Sequence, residues 1–511
     1  MEKTREYVSN WEKPKTSKFQ KVSWGLGGFT ENLSMNVIPT LAYNIFQIGM
    51  GISPFVISLA MSASKIVEAV SDPVFGSMSD NTRSRFGRRR PWIFFGAFII
   101  ALSFISIWFT PRHVSDHILL GMHLTGNFIQ AAYFIGTISV FFIVFAIWQI
   151  PFSALGLELE EDYAERTKLQ TIKSIFSYII GTAIGSLYLI TQMKSVWGGD
   201  EVTGARGVGV IVGIAIFIFG VWPAIFCKER YVIKHEKIPF WPSFIETLKD
   251  GPFRLLMGSI FCVFVALFFM LPLLNYISMY YVCTDGMHTV LDWNWRSPFH
   301  FGTKIIMLSH KELAGYLGAY GAVIQTTTQI LSVLAVNRVS KFYDKRTILL
   351  TGLIIAIFGY FSSWILFNPS LPYLSMFPPI IVNIGLSACW VLIGSFTADI
   401  CDYDELKTGK RREGMFSAVN GFLIKLSIAL VGVITGWVLV ALGIGGADPI
   451  LSQHQLFTLR FLYVLIPVVV MFISVIFIWK YPLTRVKVQE IQAQLAISRQ
   501  ETHIVSEEPT V

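Results

Sequence analysis

Three charged residues interrupt an apolar run in the first part of the chain. Lys65, Glu68 and Asp72 belong to the segment MSASKIVEAVSDPVFGSMSDNTRSRFGRRRPWI, which covers residues 61–93. Their spacing places all three on one face if the segment is helical. Two carboxylates one turn apart can chelate a small cation with neighbouring oxygens, or share a proton, because both ionise reluctantly in apolar surroundings. The pattern predicts a cation site at Glu68 and Asp72, with Ser71 as a further oxygen ligand. A structural ion-pair network with Lys65 is the alternative.

A lysine interrupts a second apolar run near the end of the chain. Lys425 lies in the sequence GFLIKLSIAL. Its amine can serve as counter-ion to Glu68 or Asp72, donate hydrogen bonds to a polyhydroxylated ligand, or reach the membrane interface. The first two interpretations predict a functional residue at the middle of a membrane helix.

Other polar or aromatic side chains in apolar runs are candidates for binding a sugar. Glu31 and Asn32 lie together in one run, Gln149 in another and Asn275 in a third. Each can hold a sugar hydroxyl or form a hydrogen bond between helices. Trp390 can stack on the C–H face of a sugar or pack in the membrane interface.

The composition is that of a membrane protein. The chain has 511 residues, of which 53% are hydrophobic and only 14% are charged, whereas soluble domains carry about 25% charged residues. The mean hydropathy is +0.57. We attribute the net charge of +8 to basic cytoplasmic loops and not to nucleic-acid binding. The five cysteines form no CxxC pair, which favours free thiols over a metal site. The first 22 residues have no apolar core typical of a cleaved signal peptide.

Twelve runs are long and apolar enough to span a bilayer. The predicted spans are 23–49, 53–79, 91–110, 130–157, 168–192, 206–227, 252–282, 312–337, 346–367, 375–400, 413–443 and 456–480. Lys and Arg concentrate in alternate short connections, which fixes the predicted orientation with both termini in the cytoplasm. These basic residues are Lys13, Lys15, Lys18, Lys21, Arg83, Arg85, Arg88, Arg89, Arg90, Arg338, Lys341, Lys345, Arg346, Lys407, Lys410, Arg411 and Arg412.

The spans form two sets of six that look like weak repeats. We predict a cytoplasmic N-terminus at 1–22, a six-helix bundle at 23–227 and a cytoplasmic linker at 228–251. A second bundle follows at 252–480, with an extracellular loop at 283–311, and then a cytoplasmic tail at 481–511. Duplicated six-helix halves are the pattern of major-facilitator transporters, which bind substrate between the halves at the middle of the membrane.

The basic loop after the second span is a candidate cytoplasmic gate. In GSMSDNTRSRFGRRR, we expect Asp80 to pair with arginines, among them Arg83, Arg88 and Arg89, and so to hold one access state. The chain contains no Walker loop, HExxH motif or nucleophile elbow. We therefore expect a protein that is not an enzyme.

Several motifs together resemble the glycoside–pentoside–hexuronide:cation symporters, the melibiose permease family. They are WGLGGFTEN, KIVEAVSDPVFGSMSDNTRSRFGRRRPWI, WQIPFSALGLELEEDYAERTKL and TADICDYDELKTGKRREG followed by Lys425. The resemblance covers most of the chain and implies a twelve-helix major-facilitator fold.

The resemblance also assigns roles to individual residues. It implies cation ligands at Glu68 and Asp72, and sugar contacts at Asn32 and Gln149, where the family has acids. The remaining matches are a tryptophan at Trp390, a lysine at Lys425 and, without a clean match, an arginine near Lys173.

Two departures from the family pattern bear on the substrate and on the cation. Neutral Asn32 and Gln149 make melibiose a poor candidate and favour a neutral ligand, while Lys173 and Lys425 leave room for an acidic sugar. The threonine that helps to ligate sodium falls at Ala146, and glutamate replaces the first aspartate, at Glu68. The loss of a hard oxygen ligand favours the proton over sodium.

The sequence thus predicts an all-α symporter of a sugar or glycoside, coupled to H⁺ or Na⁺ and without another cofactor. We expect a monomer in the cell membrane, with Asn32, Gln149, Lys173, Asn275, Trp390 and Lys425 at the substrate site. A carrier of amphipathic lipid-like solutes and a membrane sensor without transport are the alternatives. The buried charges at Glu68, Asp72 and Lys425 argue against the sensor.

Overall fold

The computed structural model of the protein describes most of the chain. The described residues are 16–82, 84–112, 114–119, 122–159, 163–229, 247–283, 285–293, 301–340, 342–408, 413–445 and 449–495. Outside the described part lie most of the linker 228–251, the end of the tail, Arg83 and the side chain of Asp80, the last two from the predicted gate.

Twelve long helices fill the described residues. In the first half they are α1 (Lys18–Ala42), α2 (Pro54–Asn81), α3 (Arg90–Trp108), α4 (Gly126–Leu159), α5 (Tyr163–Thr191) and α6 (Glu201–Phe226). In the second half they are α7 (Gly251–Ile277), α8 (His310–Val339), α9 (Lys345–Leu366), α10 (Phe377–Thr408), α11 (Glu413–Ala441) and α12 (Gln453–Trp479). Each predicted span falls on one of these helices.

Eleven of these helices, all except α1, have an apolar stretch long enough to cross a membrane among the described residues. In α1, polar side chains such as Glu31, Asn32 and Asn36 lower the hydropathy. Polar side chains inside a membrane bundle point to internal contacts or to a ligand.

Two helices continue in a wider π-helical turn after a proline. Pro39 in α1 precedes the π segment Tyr43–Gly49, and Pro272 in α7 precedes the π segment Ser278–Val282. Proline removes a backbone donor and loosens the helix next to it. Because α7 follows α1 by six helices, the two halves carry the same irregularity at equivalent places.

Two short antiparallel hairpins lie on one side of the bundle. Strands β1 (His117–Leu119) and β2 (Met122–Leu124) connect α3 to α4, and β3 (Gly286–Trp293) and β4 (Phe301–Leu308) connect α7 to α8. The predicted loop 283–311 thus contains a hairpin. Because the helices alternate in direction, both hairpins lie opposite the chain ends. We call this face the hairpin side and the opposite face the terminal side.

The helix contacts in the first half recur six helices later. Helix α1 packs on α5 and α6, α2 on α4, and α3 on α4 and α6; α7 packs on α11 and α12, α8 on α10, and α9 on α10 and α12. Between the halves the main contacts are α2 with α11 and α5 with α8, which are also related by the same repeat. The architecture is therefore two similar bundles joined along two helix pairs.

Small residues permit the close contacts between the halves. A side chain at Gly185 of α5 would collide with Ala322 of α8, since a Cβ there would lie 2.2 Å from that of Ala322. A Cβ at Gly432 of α11 would likewise lie 2.2 Å from Ser62 Oγ of α2. Position 185 therefore needs glycine at this separation of the helices, whereas a side chain at 432 would require the Ser62 hydroxyl to rotate away.

Candidate functional site

Four charged side chains form a cluster between α2 and α11. Lys65 Nζ lies 2.8 Å from Glu68 Oε2, and Lys425 Nζ lies 3.0 Å from Glu68 Oε1. Lys425 also donates a hydrogen bond to Asp72. The Glu68 side chain is fully buried, with 0% exposure. Two ammonium groups thus balance two carboxylates, as a low-dielectric membrane interior requires.

The cluster brings together Glu68, Asp72 and Lys425 from distant parts of the sequence, but not Ser71. The Ser71 hydroxyl donates to the carbonyl of Glu68 at 3.1 Å, so its described bond is to its own helix. Asp72 Oδ1 is buried and accepts no hydrogen bond from the described residues. This free carboxylate oxygen is available to a cation. No group of three or more His, Cys, Asp or Glu side chains suited to a metal ion occurs in the described ranges.

An aromatic ring holds the second lysine of the cluster. Lys65 Nζ lies 4.1 Å from the centre of the Phe142 ring of α4. A cation over a ring face is attracted by the quadrupole of the ring. Lys65 is therefore held within the first half, whereas Lys425 comes from the second half.

A second polar cluster joins α1, α4 and α5 within the first half. Lys173 Nζ lies 2.6 Å from Glu31 Oε2, and Gln149 Nε2 donates to Glu31 Oε1 at 3.4 Å. Trp24 and Phe152 stack with ring centres 5.1 Å apart, and the Lys173 ammonium lies 5.7 Å and 6.0 Å from their rings. A carboxylate, an amine, an amide and aromatic rings are the groups that bind sugar hydroxyls and C–H faces.

This cluster contains Glu31 where the family resemblance assigned Asn32. The Asn32 side chain accepts a hydrogen bond from Asn36 Nδ2 at 3.1 Å, one turn along α1. Adjacent helical residues point about 100° apart, so Glu31 and Asn32 cannot face the same partners. Gln149 thus contacts a carboxylate that is paired with Lys173, and not the uncharged environment that we expected.

Trp390 and Asn275 lie away from the two clusters in their described contacts. Trp390 of α10 is half-exposed and meets Phe264 of α7 edge to face, with ring centres 5.3 Å apart. Asn275 of α7 lines a cavity on the hairpin side together with Asn44 and Gln325. The six predicted substrate residues therefore do not converge on one point in this conformation.

The basic loop between α2 and α3 is bound by an acidic residue that sequence reasoning missed. The Glu229 carboxylate accepts hydrogen bonds from the backbone N–H groups of Arg88, Arg89 and Arg90, at 2.8, 2.7 and 3.0 Å. It therefore caps the N-terminus of α3, where the helix dipole favours a negative charge. Gly87 approaches this carboxylate with a φ of 106°, a conformation that suits glycine. The signal in the sequence was an isolated acid directly after α6.

A polar contact joins the halves on the hairpin side and was also missed. Lys311 Nζ of α8 lies 3.3 Å from Glu201 Oε1 of α6, and Tyr188 of α5 donates to Glu201 Oε2 at 3.2 Å. Gln192 Nε2 donates to the carbonyl of Lys311 at 3.2 Å. We call Glu201, Lys311, Tyr188 and Gln192 the hairpin-side lock.

A neighbouring ion pair on the same side lies within the first half. Arg112 lies 2.5 Å from Asp200, the residue that caps α6. This hydrogen bond and those from Thr203 hold the pKa of Asp200 well below its usual range, against the opposing effect of burial.

Known proteins match the chain over nearly its whole length. The model of the family described as MFS/sugar transport protein matches residues 23–293 and 312–485. A protein of Synechocystis sp. named uncharacterized symporter sll1374 is 25% identical, over 95% of this chain and 97% of its own length. The isoprimeverose transporter of Lactiplantibacillus pentosus is 24% identical, over 95% of this chain and 91% of its own length.

A solved structure has the same fold. The crystal structure of a D-xylose–proton symporter matches with a TM-score of 0.59 at 14% identity, and covers 91% of this chain and 97% of that one. At this identity the match shows the fold alone, and it confirms the predicted major-facilitator architecture. The chain is a multi-pass membrane protein that belongs to the MFS/sugar transport protein family.

Proposed function

We propose that the protein carries a sugar or glycoside together with a cation, by alternating access of a site between its two halves. The observation that carries the proposal is Lys425, which reaches from α11 to both Glu68 and Asp72 of α2. The family match and the symporter names of its relatives support it. The names of the relatives do not favour the lipid carrier, and the retained charge cluster argues against the sensor.

The cation and Lys425 compete for the same carboxylates in this mechanism. Glu68 and Asp72 need compensating positive charge in a low-dielectric span. A cation that binds at Asp72 makes the ammonium group of Lys425 dispensable there. Because Lys425 belongs to the other half, its release changes a contact between the halves. Cation binding is thereby coupled to the movement that exposes the site to one side or the other.

The sugar is proposed to bind at Glu31, Gln149 and Lys173. Carboxylate oxygens accept hydrogen bonds from sugar hydroxyls, whereas the amine donates and the amide does both. Glu31 already compensates Lys173, and Asp72 and Glu68 compensate Lys425. A neutral sugar is therefore favoured over an acidic one. Trp390 and Asn32 stay proposed as secondary contacts made in another conformation, and Asn275 stays proposed as a contact on the hairpin side.

The proton is the proposed coupling ion. Ala146 is buried and supplies no oxygen ligand, and sodium prefers sites rich in oxygen. Two lysines already occupy the neighbourhood of the carboxylates, which leaves Asp72 Oδ1 as the free oxygen of that carboxyl group. A proton needs one oxygen, whereas sodium needs several.

The decisive experiment measures uphill transport and exchange separately. In proteoliposomes loaded with sugar, Asp72→Asn should abolish accumulation against a gradient and leave sugar exchange measurable, because the coupling ligand is lost but the sugar site is intact. Glu68→Gln should weaken coupling less completely. Accumulation by Asp72→Asn would refute the cation site. A proton-coupled carrier should lose activity as external pH rises and should ignore sodium.

We further propose a monomer in the cell membrane with both termini in the cytoplasm. The concentration of Lys and Arg in connections on the terminal side supports this orientation. A Lys237→Cys variant should resist an impermeant maleimide added to intact cells and react after the cells are opened. Strong labelling in intact cells would reverse the orientation.

A further inference from the structure

A cavity whose described lining residues are all uncharged lies between the halves on the hairpin side. Helices α1, α5, α7, α8 and α10 contribute to its wall. Its polar lining residues include Thr40, Asn44, Asn275, Ser278, Gln325 and Ser375. Amides and hydroxyls are the neutral donors and acceptors that suit a polyhydroxylated solute.

The cavity is separate from the cluster of Glu31, Gln149 and Lys173. Thr40, in the cavity wall, follows Glu31 by nine residues in α1, which corresponds to about 13 Å along the helix axis. Tyr188, also in the wall, follows Lys173 by fifteen residues in α5, or about 22 Å. A single sugar ring that contacts Glu31 therefore cannot fill this cavity at the same time.

One buried amide in the wall lacks a partner. Asn44 is 4% exposed, and its Oδ1 atom is buried and accepts no hydrogen bond from the described residues. Buried polar atoms are almost always satisfied, and a water or a ligand is a common partner of an exception. Asn44 lies in the π segment that follows Pro39, and Asn275 lies just before the π segment that follows Pro272. π-Helical turns often occur at functional sites, and here the equivalent irregularity of each half faces one cavity.

The hairpin-side lock borders the cavity. Tyr188 belongs both to the cavity wall and to the lock, through its hydrogen bond to Glu201. Ala314 and Gly315 of the wall lie about one helical turn after Lys311 in α8. Opening of the Glu201–Lys311 contact would thus expose the cavity to the hairpin side.

We propose that this cavity is a second binding station for a neutral sugar, between the lock and the cluster of Glu31, Gln149 and Lys173. This inference rests on the proposed function. A sugar hydroxyl supplies the hydrogen-bond donor that Asn44 Oδ1 lacks, and other hydroxyls form hydrogen bonds with Asn275 and Gln325. The station lets the protein hold sugar near the hairpin side before or after it occupies the inner cluster.

The test measures occupancy of the cavity with a cysteine reporter. Ala314→Cys introduces a small thiol in the wall, in a parent with Cys283→Ser to remove the nearest native thiol. The four remaining cysteines, Cys227, Cys262, Cys389 and Cys401, are buried, so the parent without the reporter should label slowly. A maleimide labels the reporter in proteoliposomes with and without a mixture of lactose and isoprimeverose. We expect the sugars to slow labelling at least fivefold.

Two sets of variants separate direct occupancy from a conformational effect. Protection should persist when Glu31→Gln disables the inner cluster. In Asn44→Ala and in Asn275→Ala, the sugar affinity measured by protection should fall about fivefold, the factor that corresponds to one hydrogen bond. Asn36→Ala, on α1 but outside the cavity wall, is the matched control and should keep the protection.

Each other outcome refutes a defined part of the proposal. Loss of protection in Glu31→Gln together with full protection in Asn44→Ala would show that the effect comes from the inner cluster, and would overturn the second station. Uptake of these sugars without protection of the reporter would overturn the station and leave the proposed function intact. Absence of both uptake and protection would refute the proposed function and the station together.

Discussion

Replacement of Lys425 by methionine is expected to destabilise the protein, and a second substitution at Asp72 is expected to restore much of the loss. In the native cluster, Lys65 and Lys425 balance Glu68 and Asp72. Lys425→Met leaves one net negative charge, and Asp72→Asn leaves one net positive charge. The double variant is neutral again, because Lys65 still pairs with Glu68 at 2.8 Å.

The size of the effect follows from the burial of the two partners. Removal of one member of a buried ion pair destabilises a protein by about 3–5 kcal/mol, because the other charge stays uncompensated. The side chains of Lys425 and Asp72 keep 18% and 22% exposure, so water screens part of the stranded charge. We expect each single variant to lose about 2 kcal/mol, which is a factor of about 30 in the folding equilibrium.

Denaturant unfolding of the purified protein in detergent, with wild type and three variants, measures this cycle. Independent losses would add to about 4 kcal/mol in the double variant. Charge balance predicts that the double variant loses no more than either single variant. Additive losses would refute the argument that Lys425 serves mainly to compensate Asp72.

The same variants identify the ion. Lys425→Met alone has a net negative cluster, so a bound cation should stabilise it more than the wild type. Stabilisation at lower pH would indicate the proton, and stabilisation by sodium at constant pH would indicate sodium. Asp72→Asn is the control and should respond to neither. If neither ion stabilises Lys425→Met, the cluster does not bind the coupling cation.

Three further predictions concern the substrate site and the hairpin side. Trp390→Ala should weaken sugar binding severalfold and spare cation binding in calorimetric titrations, and equal loss of both would remove Trp390 from the site. Glu201→Gln should break the ion pair with Lys311 and favour opening on the hairpin side by about 1 kcal/mol. Cysteines on that side should then be labelled about fivefold faster. An unchanged labelling rate would show that the lock does not hold the closed state. Because the pKa of Asp200 is depressed in the folded state, its ionised carboxylate stabilises the fold at pH values above about 3.9, the pKa in the unfolded state. This stabilisation is lost as the pH falls below that value. The difference in melting temperature between wild type and Asp200→Asn should therefore shrink below about pH 4, and a constant difference would exclude the pair with Arg112 as its cause.

The sequence was informative where charge meets an apolar run. Glu68, Asp72 and Lys425 stand out because membrane spans rarely contain charge without a use for it. The helix spacing of the two acids follows from the sequence alone. Their pairing with Lys425 was one of several interpretations, and only the packing of α2 against α11 brings Lys425 into contact with both acids. The twelve spans and the family could also be predicted, because hydropathy and sequence motifs are local properties of the chain.

Features that depend on direction or on distant backbone were not predictable. Glu31 and Asn32 are neighbours in sequence, but only the helix orientation decides which one meets Lys173. Glu229 acts on backbone N–H groups some 140 positions earlier, and such groups leave no mark in a sequence. The hairpin-side cavity is assembled from five helices and exists only after they pack.

Two partly buried lysines at equivalent places in the repeat have different partners. Lys173 lies in α5 and Lys425 in α11, which are equivalent helices of the two halves. Lys173 pairs with Glu31 of its own half, whereas Lys425 pairs with two acids of the other half. A movement of one half against the other must break or rearrange the contacts of Lys425, but it leaves the pair of Lys173 and Glu31 intact. In the proposed function, Glu31 and Lys173 belong to a sugar cluster that stays preformed, whereas Lys425 belongs to a charge cluster that changes with conformation. Coupling then follows if the cation and Lys425 cannot occupy Asp72 together.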